Sequence, residues 1–158
     1  RAEFFRGEVN KYGWVDTGSS FLPSEVSAAF LWAQIEDLDR IQERRKDIWQ
    51  WYDNNVDSLF NNYGFTKPYI PDYATNNAHM YYLVCRDLNE RDRFIKDLKL
   101  RGIAPVFHYL SLHKSLYYNN KHDGRKLLQS DRFSDCLVRL PLFFELEEKT
   151  IQNIAELS

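Results

Sequence analysis

The 158 residues are enough for one domain with a core of its own, and their make-up, 44 % hydrophobic and 28 % charged, is that of an ordinary globular chain rather than a disordered one. A formal net charge of −2 and the lack of a strong Lys/Arg block argue against a dedicated nucleic-acid binder. No apolar run approaches the ~20 residues of a membrane span and no signal peptide opens the chain, so the expected location is the cytoplasm, with no membrane partner.

Residues 1–23 read as a loop. Phe4, Phe5, Tyr12 and Trp14 alternate with charges and glycines at neither helical nor strand period, and they are too apolar to stand in water without a surface to lie on. The loop ends in Thr17-Gly18-Ser19-Ser20, which leads through Pro23-Ser24-Glu25 into a helix. Gly18 can take backbone angles closed to other residues, Ser19 and Ser20 add hydroxyl donors, and a helix N-terminus carries the positive end of the dipole. The junction is therefore either a plain capping turn or a cradle for a phosphate. Pro23 suits the first helical position.

One long amphipathic helix is expected over residues 24–60, with Val26, Ala29, Phe30, Ala33, Leu38, Ile41, Ile48, Trp49, Tyr52, Val56 and Leu59 close to the i, i+3, i+4 rhythm. Glu36 and Arg40 stand four apart as an ion pair for its wet side. Such a helix bridges two bodies or packs on a partner, and Ala28, Ala29 and Ala33 let another backbone come close. Residues 61–77, broken by Gly64, Pro68 and Pro71, read as a linker.

A compact unit fills residues 78–158. His79 to Cys85 reads as a strand with His79, Tyr81, Leu83 and Cys85 on one face. Asn89 caps a helix over 90–101 that stops at Gly102, and Ile103 to Tyr109 forms a second strand that Pro105 confines to a sheet edge. After an aperiodic loop over 111–124 come a short helix near 126–135, a strand over 136–140 and a closing helix from about Glu147 with Ile151, Ile154 and Leu157 inward. The order β, α, β, α, β, α makes a small α/β sandwich.

His108 and His113 stand at the exit of a strand, where sites often form; without carboxylates at zinc-like spacing, they read as polar contacts to a ligand rather than metal ligands. His79 is either a ligand contact or a satisfied core histidine. Cys85 and Cys136 lack metal-ligand spacing and are expected to be buried free thiols. No nucleophile elbow, phosphate-binding loop or dinucleotide glycine pattern is present. The chain opens on Arg1 and not on Met, which leaves open that it is a fragment.

Several segments are recognisable: Phe4-Phe5-Arg6-Gly7-Glu8-Val9-Asn10-Lys11-Tyr12; residues 18–25; residues 28–36; Asn77-Ala78-His79-Met80-Tyr81-Tyr82; Val106-Phe107-His108-Tyr109 with Leu112-His113; and Leu140-Pro141-Leu142-Phe143. Nearly the whole chain resembles the C-terminal half of the DegT/DnrJ/EryC1/StrS sugar aminotransferases. The resemblance implies the C-terminal part of a fold-type I enzyme dependent on pyridoxal phosphate, with a long interdomain helix and a small α/β domain. It implies a homodimer that passes the amino group of glutamate to C4 of a dTDP-4-keto-6-deoxyhexose, a nucleotide sugar.

In that scheme a lysine holds the cofactor and an aspartate pairs with its pyridine nitrogen; both are expected in a preceding large domain, since no lysine here sits in the family's lysine motif. The chain alone is expected to hold no cofactor and to be inactive. By the same resemblance Ser20, with Ser19, contacts the phosphate of the neighbouring subunit's cofactor. The family commonly has Asn at that position, and serine donates with one hydroxyl rather than an amide. Arg6, Lys11 and Tyr12 are expected at the mouth of the partner's active site, and His79, His108, Tyr109 and His113 to face the nucleotide sugar. The competing expectation, from the aromatic loop and the long helix, is a non-catalytic sugar-nucleotide-binding or dimerisation module.

Overall fold

The structure, a computed structural model, describes Trp14, Asp16, residues 22–147, Lys149, Thr150 and Gln152. Helix α1 covers Glu25–Glu36 and α2 covers Leu38–Leu59, so the single helix expected over 24–60 is two helices meeting at Asp37. Asp37 leaves the helical region at φ −109° and ψ 17°, and its N–H closes α1 on the carbonyls of Gln34 and Ile35. Its carboxylate takes the Arg40 guanidinium, so Arg40 pairs with Asp37 and not with Glu36; Glu36 accepts instead from Trp32 Nε1 at 3.0 Å. Ser24 is the N-cap of α1, its Oγ accepting from the Ser27 N–H at 3.3 Å, which puts Pro23 outside the first turn.

The two helices bury themselves differently. In α2, Ile48, Trp49, Tyr52, Val56 and Leu59 form one buried stripe. Helix α1 buries nothing: Val26, Phe30, Leu31 and Trp32 are each more than half exposed.

Strands β1 (Phe65–Thr66), β2 (Tyr81–Cys85), β3 (Val106–Phe107) and β4 (Leu137–Leu140) make an antiparallel sheet in the order β1-β2-β4-β3. The stretch read as a linker thus supplies β1, with Phe65 opposite Cys85 and Thr66 opposite Val84. Helix α3 (Leu88–Leu100) joins β2 to β3; a 3-10 turn, Leu112–Lys114, and α4 (Leu128–Cys136) lead into β4. Because β2 and β3 each pair antiparallel with β4, they run parallel to one another, and β4 fills the gap of a split βαβ unit. Strand β3 lies at the edge, as Pro105 implies, although only two of the seven residues from Ile103 to Tyr109 join the ladder.

Asp87, not Asn89, caps α3, accepting from the Glu90 N–H at 2.8 Å. Gly102 ends the helix at φ +78°, with its N–H on the Lys99 carbonyl and the Ile103 N–H on the Leu98 carbonyl, both at about 3 Å. In the closing segment Lys149, Thr150 and Gln152 are helical; Ile151, Ile154 and Leu157 lie outside the described residues.

The core sits on one face of the sheet. Tyr81 opposite Leu140 and Leu83 opposite Val138 put four buried side chains on that face, and the α2 stripe, Phe94 and Leu98 of α3, and Cys85 close over them. Tyr52 stacks on Tyr81 with ring centroids 5.1 Å apart, and both hydroxyls are satisfied, Tyr52 on the Pro141 carbonyl at 2.9 Å and Tyr81 on Asp53 Oδ1 at 3.1 Å. Cys85 and Cys136 are buried free thiols, and burial pushes the Cys85 thiol up to about 12, so it is unreactive at neutral pH. Among the described residues no helix is long and apolar enough to cross a membrane.

Candidate functional site

The opposite face of the sheet is where polar chemistry collects. Strand β4 reads Leu-Val-Arg-Leu, and alternation turns Arg139 away from the core that Val138 and Leu140 fill. Register puts Val106 opposite Arg139, and two residues on, His108 returns to the same face. Its ring stands edge-on to Tyr109 with centroids 4.7 Å apart.

His79 arrives there by a different route. The strand begins only at Tyr81, and Ala78 just before it is buried with φ +50°, a left-handed conformation that costs a non-glycine residue roughly 1 kcal/mol or more. That backbone is held from several directions. Asn76 Oδ1 takes the Ala78 N–H at 2.8 Å and Asn77 Oδ1 takes the His79 N–H at 3.1 Å. From α2, Arg45 Nη2 donates to the carbonyls of Ala78 and His79 at 3.0 and 2.6 Å, and Gln42 donates to that of Asn77 at 3.1 Å. The turn breaks strand alternation, so His79 is exposed and does not share the core face with Tyr81, Leu83 and Cys85 as its spacing implied. It is not a core histidine.

His79, Met80, Val106, Arg139, Pro141 and Leu142 line a groove of about 230 Å³. Helix α2 holds two residues of its wall, His79 through Arg45 on its carbonyl and Pro141 through the Tyr52 hydroxyl. His108 Nδ1 and Arg139 Nε are buried without a hydrogen-bond partner among the described residues. Burial, reinforced by the charges of Arg139 and His79, holds the His108 imidazole below its ordinary value of 6.5, so it is neutral at pH 7.

His113 belongs to a second cavity, of about 270 Å³, lined by Leu112, Tyr118, Lys121, His122, Leu127 and Ser130 as well. Its Nε2 is 3.1 Å from Asp131 Oδ1, which also takes Lys114 Nζ at 2.7 Å and the Ser111 hydroxyl at 3.2 Å; Lys114 foremost holds the Asp131 carboxyl below the usual range. The four residues expected to face one ligand are thus divided. His79 lines the groove with Arg139, His108 stands against the exposed Tyr109 on the same side of the sheet, and His113 stands with His122, ring centroids 5.2 Å apart. Arg6, Lys11, Tyr12, Ser19 and Ser20 lie outside the described residues. Of the loop's aromatic anchors Trp14 is described, and it lies against Tyr118 at 5.9 Å while its carbonyl accepts from the Tyr117 N–H at 3.0 Å.

Sequence reasoning missed Arg139 and Arg45. The signal for Arg139 was present: a lone charge at an alternate position of an otherwise apolar strand has to face a different environment from its neighbours.

Solved aminotransferases share this α/β fold over the part of their length that the chain matches. DesV from S. venezuelae superimposes with a TM-score of 0.74 at 22 % identity over 94 % of this chain and 39 % of that one. CalS13 from Micromonospora echinospora does so with a TM-score of 0.72 at 23 % identity over 89 % and 36 %. In sequence, a UDP-4-amino-4,6-dideoxy-N-acetyl-beta-L-altrosamine transaminase from Campylobacter jejuni is 24 % identical over 156 residues, 95 % of this chain and 41 % of the relative. The family profile matches residues 3–157, and the chain belongs to the DegT/DnrJ/EryC1/StrS aminotransferase family. It spans less than half the length of these relatives.

The family's cofactor is pyridoxal phosphate, and a putative sugar aminotransferase from Streptococcus pneumoniae is solved in its PLP form. The helix end that would meet such a group lies at the surface: residues 22–36 are all exposed, and of the first-turn N–H groups of α1 that of Ser27 is taken by Ser24 Oγ and that of Ala28 by the Ser24 carbonyl.

Proposed function

We infer that the chain is the C-terminal part of a nucleotide-sugar aminotransferase that moves the amino group of glutamate to C4 of a dTDP-4-keto-6-deoxyhexose, making a 4-amino-4,6-dideoxy sugar such as dTDP-4-amino-4,6-dideoxygalactose for cell-surface polysaccharide. The observation that carries the reading is the family match over residues 3–157. The bound cofactor supplies an electron sink for the amino transfer. This chain's part is to bind and orient: Ser20 and Ser19, ahead of the α1 N-terminus, hold the phosphate of the neighbouring subunit's cofactor in a cytoplasmic homodimer. Arg6, Lys11 and Tyr12 border the partner's site, and His79, His108, Tyr109 and His113 face the substrates. The lysine that holds the cofactor is supplied from outside these residues, so the chain by itself does not transaminate.

The test is amination by the longer protein, given glutamate and either a dTDP- or a UDP-linked 4-keto-6-deoxyhexose, with products read by mass spectrometry. The expected outcome is an amino sugar from the dTDP substrate and none from the 158-residue chain. Product from the UDP substrate alone moves the nucleotide assignment. No product from either sinks the reading.

A further inference from the structure

We propose that Cys85 and Cys136 form a reversible dithiol–disulfide site, a cross-strand pair that closes by exchange with a low-molecular-weight disulfide such as oxidised glutathione. In the ladder of β2 and β4, Val84 stands opposite Leu137, and one step further the same register brings Cys85 opposite Cys136, where α4 hands over to β4. Opposite residues of an antiparallel pair have Cα atoms about 4.5–5.5 Å apart, inside the roughly 4.4–6.8 Å that a disulfide spans. Cys85 shares the core face of β2 with Tyr81 and Leu83, and Cys136 falls at the same alternation as Val138 and Leu140. Both thiols are buried and free. They have Asp87 and Arg91 as common neighbours, and a charge on Cys136 would raise Cys85, so the two sulfurs are within electrostatic reach of one another.

At rest the pair is protected, because burial keeps both thiols protonated. Helix α4 is the element that can open. It has nine residues, no side-chain hydrogen bond caps its N-terminus, and its Leu128 and Phe133 are exposed. Its hold on the fold centres on Ser134, whose carbonyl accepts from Arg91 at 3.0 Å and whose Oγ accepts from the Ser111 N–H at 3.1 Å. When the last turn lifts, Cys136 gives its proton to water and its thiolate attacks one sulfur of the small disulfide. That S–S bond breaks, and one small thiol leaves. Cys85, unburied by the same opening, loses its proton and attacks the Cys136 sulfur of the mixed disulfide, and the second small thiol leaves. Two protein thiols are oxidised and one small disulfide is reduced to two thiols. In reducing surroundings the exchange runs back. The closed bond ties α4 to β2, and α4 carries Asp131, the partner of His113, so oxidation stiffens one wall of that cavity. The site does not depend on the transaminase reading.

The test is to equilibrate the full chain, folded and dilute, across glutathione mixtures from reduced to oxidised, quench in acid, digest, and read the peptides by mass spectrometry. The expected result is a peptide of Cys85 joined to Cys136 from monomeric chain, lost again on return to reduced glutathione, with the urea midpoint of the oxidised chain raised. Cys85→Ala is expected to stop at a glutathione adduct on Cys136, and Cys136→Ala to leave Cys85 a free thiol.

The proposal is overturned if the folded chain gives no joined peptide in fully oxidised glutathione, if the joined peptide forms only in urea, if the disulfides run between chains, or if oxidation lowers the urea midpoint. An adduct on Cys85 in Cys136→Ala overturns the order of attack. The joined peptide is read on the unmutated chain, so it decides the matter even where a variant fails to fold. None of these outcomes touches the amination assay, so the two readings fail separately.

Discussion

Glu90 is the side chain whose burial most needs explaining, because a carboxylate in the first turn of a helix normally stays in water. Its two oxygens accept from the Gly64 N–H at 3.0 Å, the Arg86 N–H at 2.9 Å and the Arg86 guanidinium at 2.6 Å. A Cβ on Gly64 would come within 2.5 Å of the Arg86 side chain, so the close approach depends on glycine there. The Arg86 guanidinium and the two backbone donors hold the Glu90 carboxyl at about 2, below its ordinary 4.5. A carboxyl depressed in the folded state adds stability that is whole above about 4.5 and is lost as pH falls through about 2. Glu90→Gln should therefore lose roughly 1.5–3 kcal/mol in urea unfolding at pH 7, and the gap between the two chains should close toward pH 2. A gap unchanged at low pH means that shape and not charge is what Glu90 contributes.

The elements show why some boundaries could be read and others could not. Asp87 and Asn89 are both good caps, and choosing between them required seeing that Glu90 falls at the third helical position only if Asp87 is the cap. Glu90 then reaches back to the backbone, although to the Arg86 N–H rather than that of Asp87 itself. The α2 stripe was legible because five bulky residues keep helical spacing, whereas β1 is two residues long and carries no period of its own. Ala78 gave no sign of its left-handed backbone, since a residue with a Cβ takes that conformation only when its neighbours force it. Gly102 was legible, because glycine after an apolar helix is the usual left-handed stop. Open space surrounds its missing Cβ, so Gly102→Ala should cost about 1 kcal/mol through backbone conformation alone, measured as a lower urea midpoint with an unchanged slope. A loss several times larger points to a hidden packing role.

At the scale of the whole chain, stability is concentrated in the sheet, α3 and the second half of α2, while α1 contributes surface. Its exposed Val26, Phe30, Leu31 and Trp32 are spread round the helix rather than along one side, and so large an exposed apolar patch marks a contact surface. Hydrogen exchange measures that division. At low concentration the amides of Tyr81–Cys85, Leu137–Leu140 and the buried end of α2 should exchange slowest, and those of Glu25–Glu36 close to the rate of an unprotected helix, because among the described residues nothing but the helix's own bonds closes them. Raising the concentration should slow exchange in α1 as copies associate through that patch, with light scattering rising in step. Phe30→Glu, exposed in the single chain and so tolerated by its fold, should abolish both effects while leaving protection in β2 and β4 untouched. Protection of α1 that is already high at low concentration and insensitive to Phe30→Glu means that α1 is covered within its own chain, and the apolar patch then has no part in assembly.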